Sequence, residues 1–251
     1  MISIIFPDSS VKKFDKGTKV IDVAKSISEG LARKVISASF NKETYEIESE
    51  LHSDGSIKFY TWEDDEGKQA FWHSSAHILA QTIKFFYPKS KLTIGPSIEN
   101  GFYYDVDFNG DNISEKDFQK IEAKFLEFAR TDSQFIMKSM SKDEALDFYK
   151  REDNQYKVEL IKGLDDGTIT FCDHSNFSDL CRGGHIPSTG IVKAVKLLNI
   201  AGAYWRGDEK NNQLTRIYGI SFPKQKLLTE YLELVEKAKE RDHRKLGKEL
   251  E

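Results

Sequence analysis

The chain has 251 residues, 31% of them charged and 12% aromatic, with a formal net charge of −4 and two cysteines. That length fits one large domain or two smaller ones, and it can bury a core without covalent staples. There is no apolar run of about 20 residues to span a bilayer, the opening MISIIFPDSS lacks the basic flank and cleavage site of an export signal, and two cysteines make no disulfide scaffold; the expectation is a reducing cytoplasm with free thiols. The acidic balance argues against capture of nucleic acid by the whole surface, but not against a small local patch.

Residues 1–62 predict a small unit. ISIIF is a short apolar strand, PDSS a turn, and VKKF a strand that pairs back as a hairpin. TKVIDVAKSIS predicts a helix with Val20, Ala24 and Ile27 on one face, Thr18 as N-cap and Gly30 as its stop. VISASF and SIKFY are further strands around an NKE turn. The order strand, strand, helix, strand, strand suits a β-grasp module with one sheet face covered by the helix. EDDEG at 63–67 then reads as a boundary.

A long helix follows, ending before Tyr87-Pro88, with Trp72, Ala76, Leu79, Ile83 and Phe86 as its stripe. His73 and His77 fall on the edge of that stripe. KLTIG and GFYYDVDF predict strands around a GPSIENG loop, and Tyr104 alternates with Tyr103, so one of them points to a core. Ser114 with Asp117, and Ser141 with Glu144, mark helix starts in the capping-box manner; the first of these helices carries Ile121, Phe125 and Phe128. A short helix is expected in NQYKVELIKGL, strands in TITFCD and FSDLC, and a glycine-rich loop in CRGGHIPSTG. VKAVKLLNI and LTRIYGISF are later strands joined by AGAYWRGDEKNNQ. Pro223 opens a last helix whose stripe of Leu228, Tyr231, Leu232 and Val235 gives way to nearly continuous charge beyond Ala238, which reads as a connector to something longer.

His73 and His77 stand four apart, which on a helix places their Cβ atoms about 5–6 Å from each other. Alone, that spacing is better explained by two histidines bonded to backbone. Cys181 and His185 repeat it on a loop where Gly183 and Gly184 permit unusual backbone angles and close approach of a ligand. Three imidazoles and a thiol satisfy zinc's demand for nitrogen and sulfur donors, or line a metal-free pocket with titratable nitrogens. Taken singly, Lys157 reads as a solvated lysine, Trp205-Arg206-Gly207 as turn chemistry, His52, His174 and His243 as surface residues, and Cys172 as a buried inert thiol.

Together HSSAH, IGPSIENGFYYDVD, YKVE, SDLCRGGH, AGAYWRGD, RIYG and KERDHRKLGKELE resemble the N-terminal half of bacterial-type threonyl-tRNA synthetases. The resemblance covers essentially the whole chain. It implies an α+β chain: a ubiquitin-like TGS β-grasp domain (1–62), an editing domain of the threonyl/alanyl type with an antiparallel sheet (63–224), and a connector helix (225–251) to an aminoacylation core that the sequence does not contain. One departure is Gly184, where the family commonly has proline, which loosens the loop. The implied activity is hydrolysis of mischarged Ser-tRNA(Thr), without aminoacylation. Serine lacks one methyl of threonine, a difference worth only about 1–3 kcal/mol in a binding pocket, so a second site that hydrolyses the smaller product is needed.

By carry-over, His73, His77, Lys157, Cys181 and His185 form the catalytic set. His73 orients or deprotonates water, and His185 and Lys157 fix water and stabilise the oxyanion. Cys181 contacts the substrate side chain or acts as a nucleophile. Asp179 receives the α-ammonium, and Tyr104, Gly95 and Arg182 complete the substrate pocket. The resemblance favours no resident metal, with zinc on His73, His77, Cys181 and His185 as the alternative. The implied partner is the acceptor end of tRNA(Thr), with no membrane, a monomeric fragment and a homodimeric full-length enzyme. Two further readings are a zinc hydrolase acting on a small substrate with the same four residues, and a non-catalytic module that docks RNA or protein.

Overall fold

The computed structural model describes residues 1–249, with side chains through Arg241. Among them no helix is long and apolar enough to cross a membrane.

The N-terminal unit is a five-stranded sheet in the spatial order Val11–Phe14, Ile2–Ile5, Gly55–Tyr60, Ser37–Phe40, Glu43–Tyr45. Ile2–Ile5 and Val11–Phe14 form the predicted hairpin, and Ile2–Ile5 runs parallel to Gly55–Tyr60 at the centre. Period-two alternation decides which strand residues are buried: Ile2 and Ile4 go inward, and Ile5 points out. The helix Val20–Lys25 closes that face with Val20, Val23 and Ala24. Its start is not capped by Thr18, which instead pairs as a short strand with Leu51 while its hydroxyl donates to Asp15 O. Gly30 does not stop it either, because it lies in a second short helix, Glu29–Ala32, and Ile27 is exposed.

Of the boundary expected at 63–67, only its first residues lie between elements, after the strand that ends at Tyr60. Asp65 already begins the long helix Asp65–Phe86, and Gly67 is in its first turn. A Cβ on Gly67 would lie 1.8 Å from the carbonyl oxygen of Thr61, so the glycine is what lets this helix press directly on the end of the preceding strand.

The long helix is buried on nearly every side, from Gly67 to Ile83. One side packs on an antiparallel sheet ordered Ala194–Tyr204, Gln213–Phe222, Gly101–Asp107, Lys91–Leu92. Its buried serines and Trp72 bond back along the helix or across to the sheet. Ser74 and Ser75 donate to the carbonyls four residues earlier, Ser75 also meets the Ser221 hydroxyl at 2.7 Å, and Trp72 Nε1 donates to Ser221 O at 3.0 Å. His77 therefore belongs to the interior and not to the edge of a stripe.

Both capping boxes form, Ser114 with Asp117 ahead of Phe118–Arg130, and Ser141 with Glu144 ahead of Lys142–Arg151. A three-stranded sheet, Ile136–Ser139, Thr170–His174 and Phe177–Leu180, carries the segment leading into the glycine-rich loop. The strand expected to stop at Ile200 runs on to Tyr204, paired with Gln213–Phe222 on both sides of a bulge at Leu198, so AGAY is strand and the connection is confined to 205–212. Gln225–Glu249 is the last helix, with Leu228 buried against the main core. The side chain of His243 lies outside the described residues.

Candidate functional site

The long helix supplies the first wall. The His73 and His77 ring centroids lie 4.9 Å apart, as the one-turn spacing requires. The second wall is the loop after Phe177–Leu180, where Gly183 (φ +99°) and Gly184 (φ +89°) turn the chain in a left-handed conformation that glycine alone adopts freely. The two walls are tied by Ser74, the serine beside His73, whose hydroxyl accepts the backbone N–H of Ile186 at 3.0 Å. His185 is thereby brought within 4.9 Å of His73 and 5.0 Å of His77, centroid to centroid.

Cys181 is the hub of this cluster. Its Sγ lies 3.1 Å from His73 Nε2, 3.3 Å from His185 Nε2 and 3.4 Å from the N–H of Gly183. Burial opposes ionisation of the thiol, but His77, His185 and His73 around it hold it well below its ordinary value. Burial also opposes charge on His185, yet its bonds to Cys172, Cys181 and Glu46 hold the imidazolium well above the usual histidine value. Burial lowers the His77 value, opposed by the neighbouring Cys181 thiol, and neither of its ring nitrogens has a partner at hydrogen-bond geometry. The site thus gathers one thiol and three imidazoles in mutual contact. His73 is the only partly exposed imidazole of the three.

Beside this cluster lies a buried anion. Asp179 Oδ1 takes Lys157 Nζ at 2.6 Å, the Tyr149 hydroxyl at 2.8 Å and the Leu180 N–H at 2.9 Å, while Oδ2 accepts the Tyr104 hydroxyl at 2.8 Å. Burial alone would raise the Asp179 carboxyl; Lys157 leads the contacts that bring it below its ordinary value. Burial and the neighbouring carboxylate keep both tyrosine hydroxyls protonated as donors. Oδ1 is saturated, whereas Oδ2 keeps one acceptor position and points toward His77 Nδ1 at 4.0 Å.

A cavity of about 540 Å3 opens on these groups, lined by His73, His77, Tyr104, Lys157, Asp179 and Cys181 with Gly95 and Arg182 at its wall. Eight of the nine residues singled out from the sequence line it, and the ninth, His185, stands behind Cys181 with its Nε2 3.3 Å from Sγ. Lys157 is a buried ion-pair member rather than a solvated side chain. Gly95 is required by the Tyr104 ring, since a Cβ there would sit 2.2 Å from it. Gly95→Ala is expected to cost about 1–3 kcal/mol through overpacking and to push the Tyr104 hydroxyl off Asp179, which denaturant unfolding and the tyrosine hydroxyl proton resonance would register.

The four atoms His73, His77, Cys181 and His185 can offer a metal lie within 4.8 Å of one another. A tetrahedral zinc with these donors needs ligand separations of about 3.3–3.7 Å, so the two Sγ–nitrogen distances are close to fitting and the partnerless His77 nitrogens supply the remaining orphaned donor.

Three residues of the site carried no sequence signal. Glu46 comes from the β-grasp unit, 139 positions before His185, and accepts from its Nδ1 at 3.1 Å. Tyr149 shares a helix face with Ala145, a spacing that announces burial but not its bond to Asp179. His174 was expected on the surface and is instead 2% exposed, between Phe135 and Phe177 and behind His77. Strand alternation put it inward, opposite to what its polarity suggests. Burial drives its pKa down to about 3 from 6.5, so the folded state refuses a proton that the unfolded state accepts. Its cost is absent above about pH 6.5 and grows as pH falls toward 3, by up to about 1.4 kcal/mol per pH unit. His174→Phe is expected to flatten the acid side of the stability profile, measured by denaturant unfolding between pH 7 and 4.5.

Comparison with known sequences adds an independent line. The family described as "Threonyl and Alanyl tRNA synthetase second additional domain" matches residues 169–218, and the TGS domain family matches residues 2–61. The chain is 63% identical over all of its 251 residues to a threonine–tRNA ligase of Flavobacterium psychrophilum and 64% identical to one of Flavobacterium johnsoniae, spanning 38% of each. A threonine–tRNA ligase of Clostridioides difficile is 53% identical over 251 residues, with 39% of its length covered.

Proposed function

This chain belongs to the threonyl-tRNA synthetase family, matching its N-terminal region along its whole length, and on that premise we propose that it is the family's proofreading part, hydrolysing the ester of mischarged Ser-tRNA(Thr) in the cytoplasm. The observation that carries the reading is the contact of Cys181 Sγ with His73 and His185, with the partly exposed His73 at the mouth of a cavity that also holds the buried Lys157–Asp179 pair.

The reaction is attack of water on an aminoacyl ester. It needs a group that takes a proton from water, donors for the developing oxyanion, and a proton for the leaving ribose oxygen. His73, open to the cavity, orients water, accepts its proton and returns it to the leaving ribose oxygen. His185 and Lys157 supply positive charge where the oxyanion forms. The free position on Asp179 Oδ2 receives the substrate's α-ammonium, with Tyr104 holding that carboxylate in place and Gly95 and Arg182 shaping the approach. Cys181 keeps the His73 and His185 rings facing the substrate. A covalent role for its thiolate would show as a burst of released tRNA followed by a slower steady rate, and a direct water mechanism as no burst.

A second reading rests on the donor set itself. The same four residues would hold zinc, which would lower the pKa of a bound water and polarise the ester carbonyl. Metal analysis of the purified chain separates the two. Less than a tenth of an equivalent of zinc, with activity surviving chelation, supports the metal-free form; one tightly held zinc per chain supports the other.

Only the acceptor end of tRNA(Thr) is proposed to enter here, with the grip on the rest of the tRNA made elsewhere and the chain itself monomeric. A net charge of −4 offers little for counterion release. Binding of whole tRNA at physiological salt is therefore expected to be weaker than about 1 μM, checked by filter binding; sub-micromolar affinity contradicts it.

A further inference from the structure

The hydrolytic cluster is hydrogen-bonded to the β-grasp unit through a carboxylate, that of Glu46. Glu46 sits at the corner after Glu43–Tyr45, and its neighbour Ile47 is buried in the β-grasp core, with the Ile47 carbonyl accepting from Ile21 at 2.8 Å. The corner is closed by Ser49 N–H donating to Glu46 O at 3.0 Å. From this anchored position Glu46 Oε1 accepts three bonds from the glycine-rich loop: the Gly184 N–H at 2.9 Å, the His185 N–H at 3.4 Å and the His185 ring Nδ1 at 3.1 Å. The side chain is 18% exposed, so the contact is largely shielded from water.

The geometry of the loop is matched to this acceptor. Gly183 and Gly184 both hold positive φ, and a Cβ on Gly183 would come within 3.1 Å of Glu46 Oε1. With Nδ1 bonded to a carboxylate, the ring proton is held there, and Nε2 is the atom left to face Cys181 Sγ at 3.3 Å. Nδ1 also meets the Cys172 thiol at 3.7 Å, a weak partner that would not fix the ring alone.

We propose that Glu46 is the positioning residue of the hydrolytic site: lent by the β-grasp unit, its carboxylate fixes the glycine-rich loop and holds the His185 ring by Nδ1, so that Nε2 points at Cys181 and the substrate cavity. The site is then a joint product of two units, and the β-grasp unit has a part in the chemistry beyond any role in docking. The inference holds whether Nε2 faces water or a metal, since a carboxylate behind a histidine serves both. Only its kinetic consequence rests on the hydrolase reading.

The test compares the whole chain with Glu46→Gln and Glu46→Ala. The ring protons and nitrogens of His185 are followed by 15N–1H NMR, and kcat and KM for Ser-tRNA(Thr) deacylation are measured in parallel. Glutamine keeps a carbonyl acceptor, so Glu46→Gln is expected to retain the Nδ1 proton and a kcat within about threefold of the parent. Glu46→Ala is expected to lose the protected Nδ1 proton and to lower kcat by about 10–100-fold with KM unchanged. An unchanged kcat in Glu46→Ala overturns the proposal, as does an equal loss in both variants accompanied by equal loss of stability. If the parent chain does not hydrolyse the ester, the NMR arm decides alone: a ring proton that depends on Glu46 upholds the positioning while the hydrolase reading falls, and one that does not depend on it overturns the positioning too.

Discussion

His73→Ala is expected to lower the rate of Ser-tRNA(Thr) deacylation by about 10²–10⁴-fold, the contribution of a positioned acid–base group, and to leave the chain folded. His73 is set apart from its two neighbours by exposure. His77 and His185 are 3% and 1% exposed, so they are structural as well as electrostatic parts of the cluster. His73 is half-buried, it lines the 540 Å3 cavity, and it also borders a second cavity of about 660 Å3 between the β-grasp and editing units. Removing its ring deprives Cys181 Sγ of one partner and leaves the contacts to His185 and Gly183. Activity therefore falls far more than stability. A loss below about tenfold, measured under single-turnover conditions, would take His73 out of the chemistry.

The second large effect falls on the fold. Lys157→Met strips the ammonium from a carboxylate that is itself 3% exposed, and breaking a buried pair from one side costs about 3–5 kcal/mol because the surviving charge is left uncompensated. The outcome belongs at the lower end, since Tyr104, Tyr149 and the Leu180 N–H still donate to Asp179. Adding Asp179→Asn removes the stranded charge and recovers part of the loss, a coupling that a double-mutant cycle reads directly. The pH dependence has a definite sign. The folded Asp179 carboxyl lies below its ordinary value of 3.8, so its contribution is complete above 3.8 and is lost as pH falls through the lower folded value. Without Lys157 the depression shrinks, and acid unfolding begins at higher pH. Equal stability of Lys157→Met and the parent in denaturant titrations would mean the ion pair contributes nothing.

What could be read in advance follows from which interactions are local. The Ser141–Glu144 box, the ISIIF–VKKF hairpin and the one-turn spacing of His73 and His77 are properties of a few consecutive residues, and the structure keeps all three. His185 beside Cys181 was legible for the same reason, and the ordered motifs joined the two halves of the site. Errors arose where distant chain segments decide. Thr18 gave up its helix-capping place to a strand pairing with Leu51. Gly67 looked like a linker residue and proved to be a point of close approach to Thr61. His174 looked solvated, because nothing in its neighbours says that Phe135, nearly forty residues earlier, will cover it. Tyr149 and Glu46 reach the site across 30 and 139 positions, and neither carries a spacing that could announce its partner.

The central claim is that these side chains form one ester-hydrolysing pocket for a misacylated tRNA. Its most direct measurement is the initial rate of deacylation of Ser-tRNA(Thr) and of Thr-tRNA(Thr) by this chain, side by side and against buffer. The expected result is rapid loss of the seryl ester and a threonyl ester that decays at least about tenfold more slowly, a ratio within reach of one methyl group. A seryl ester that disappears no faster with the chain than in buffer contradicts the claim.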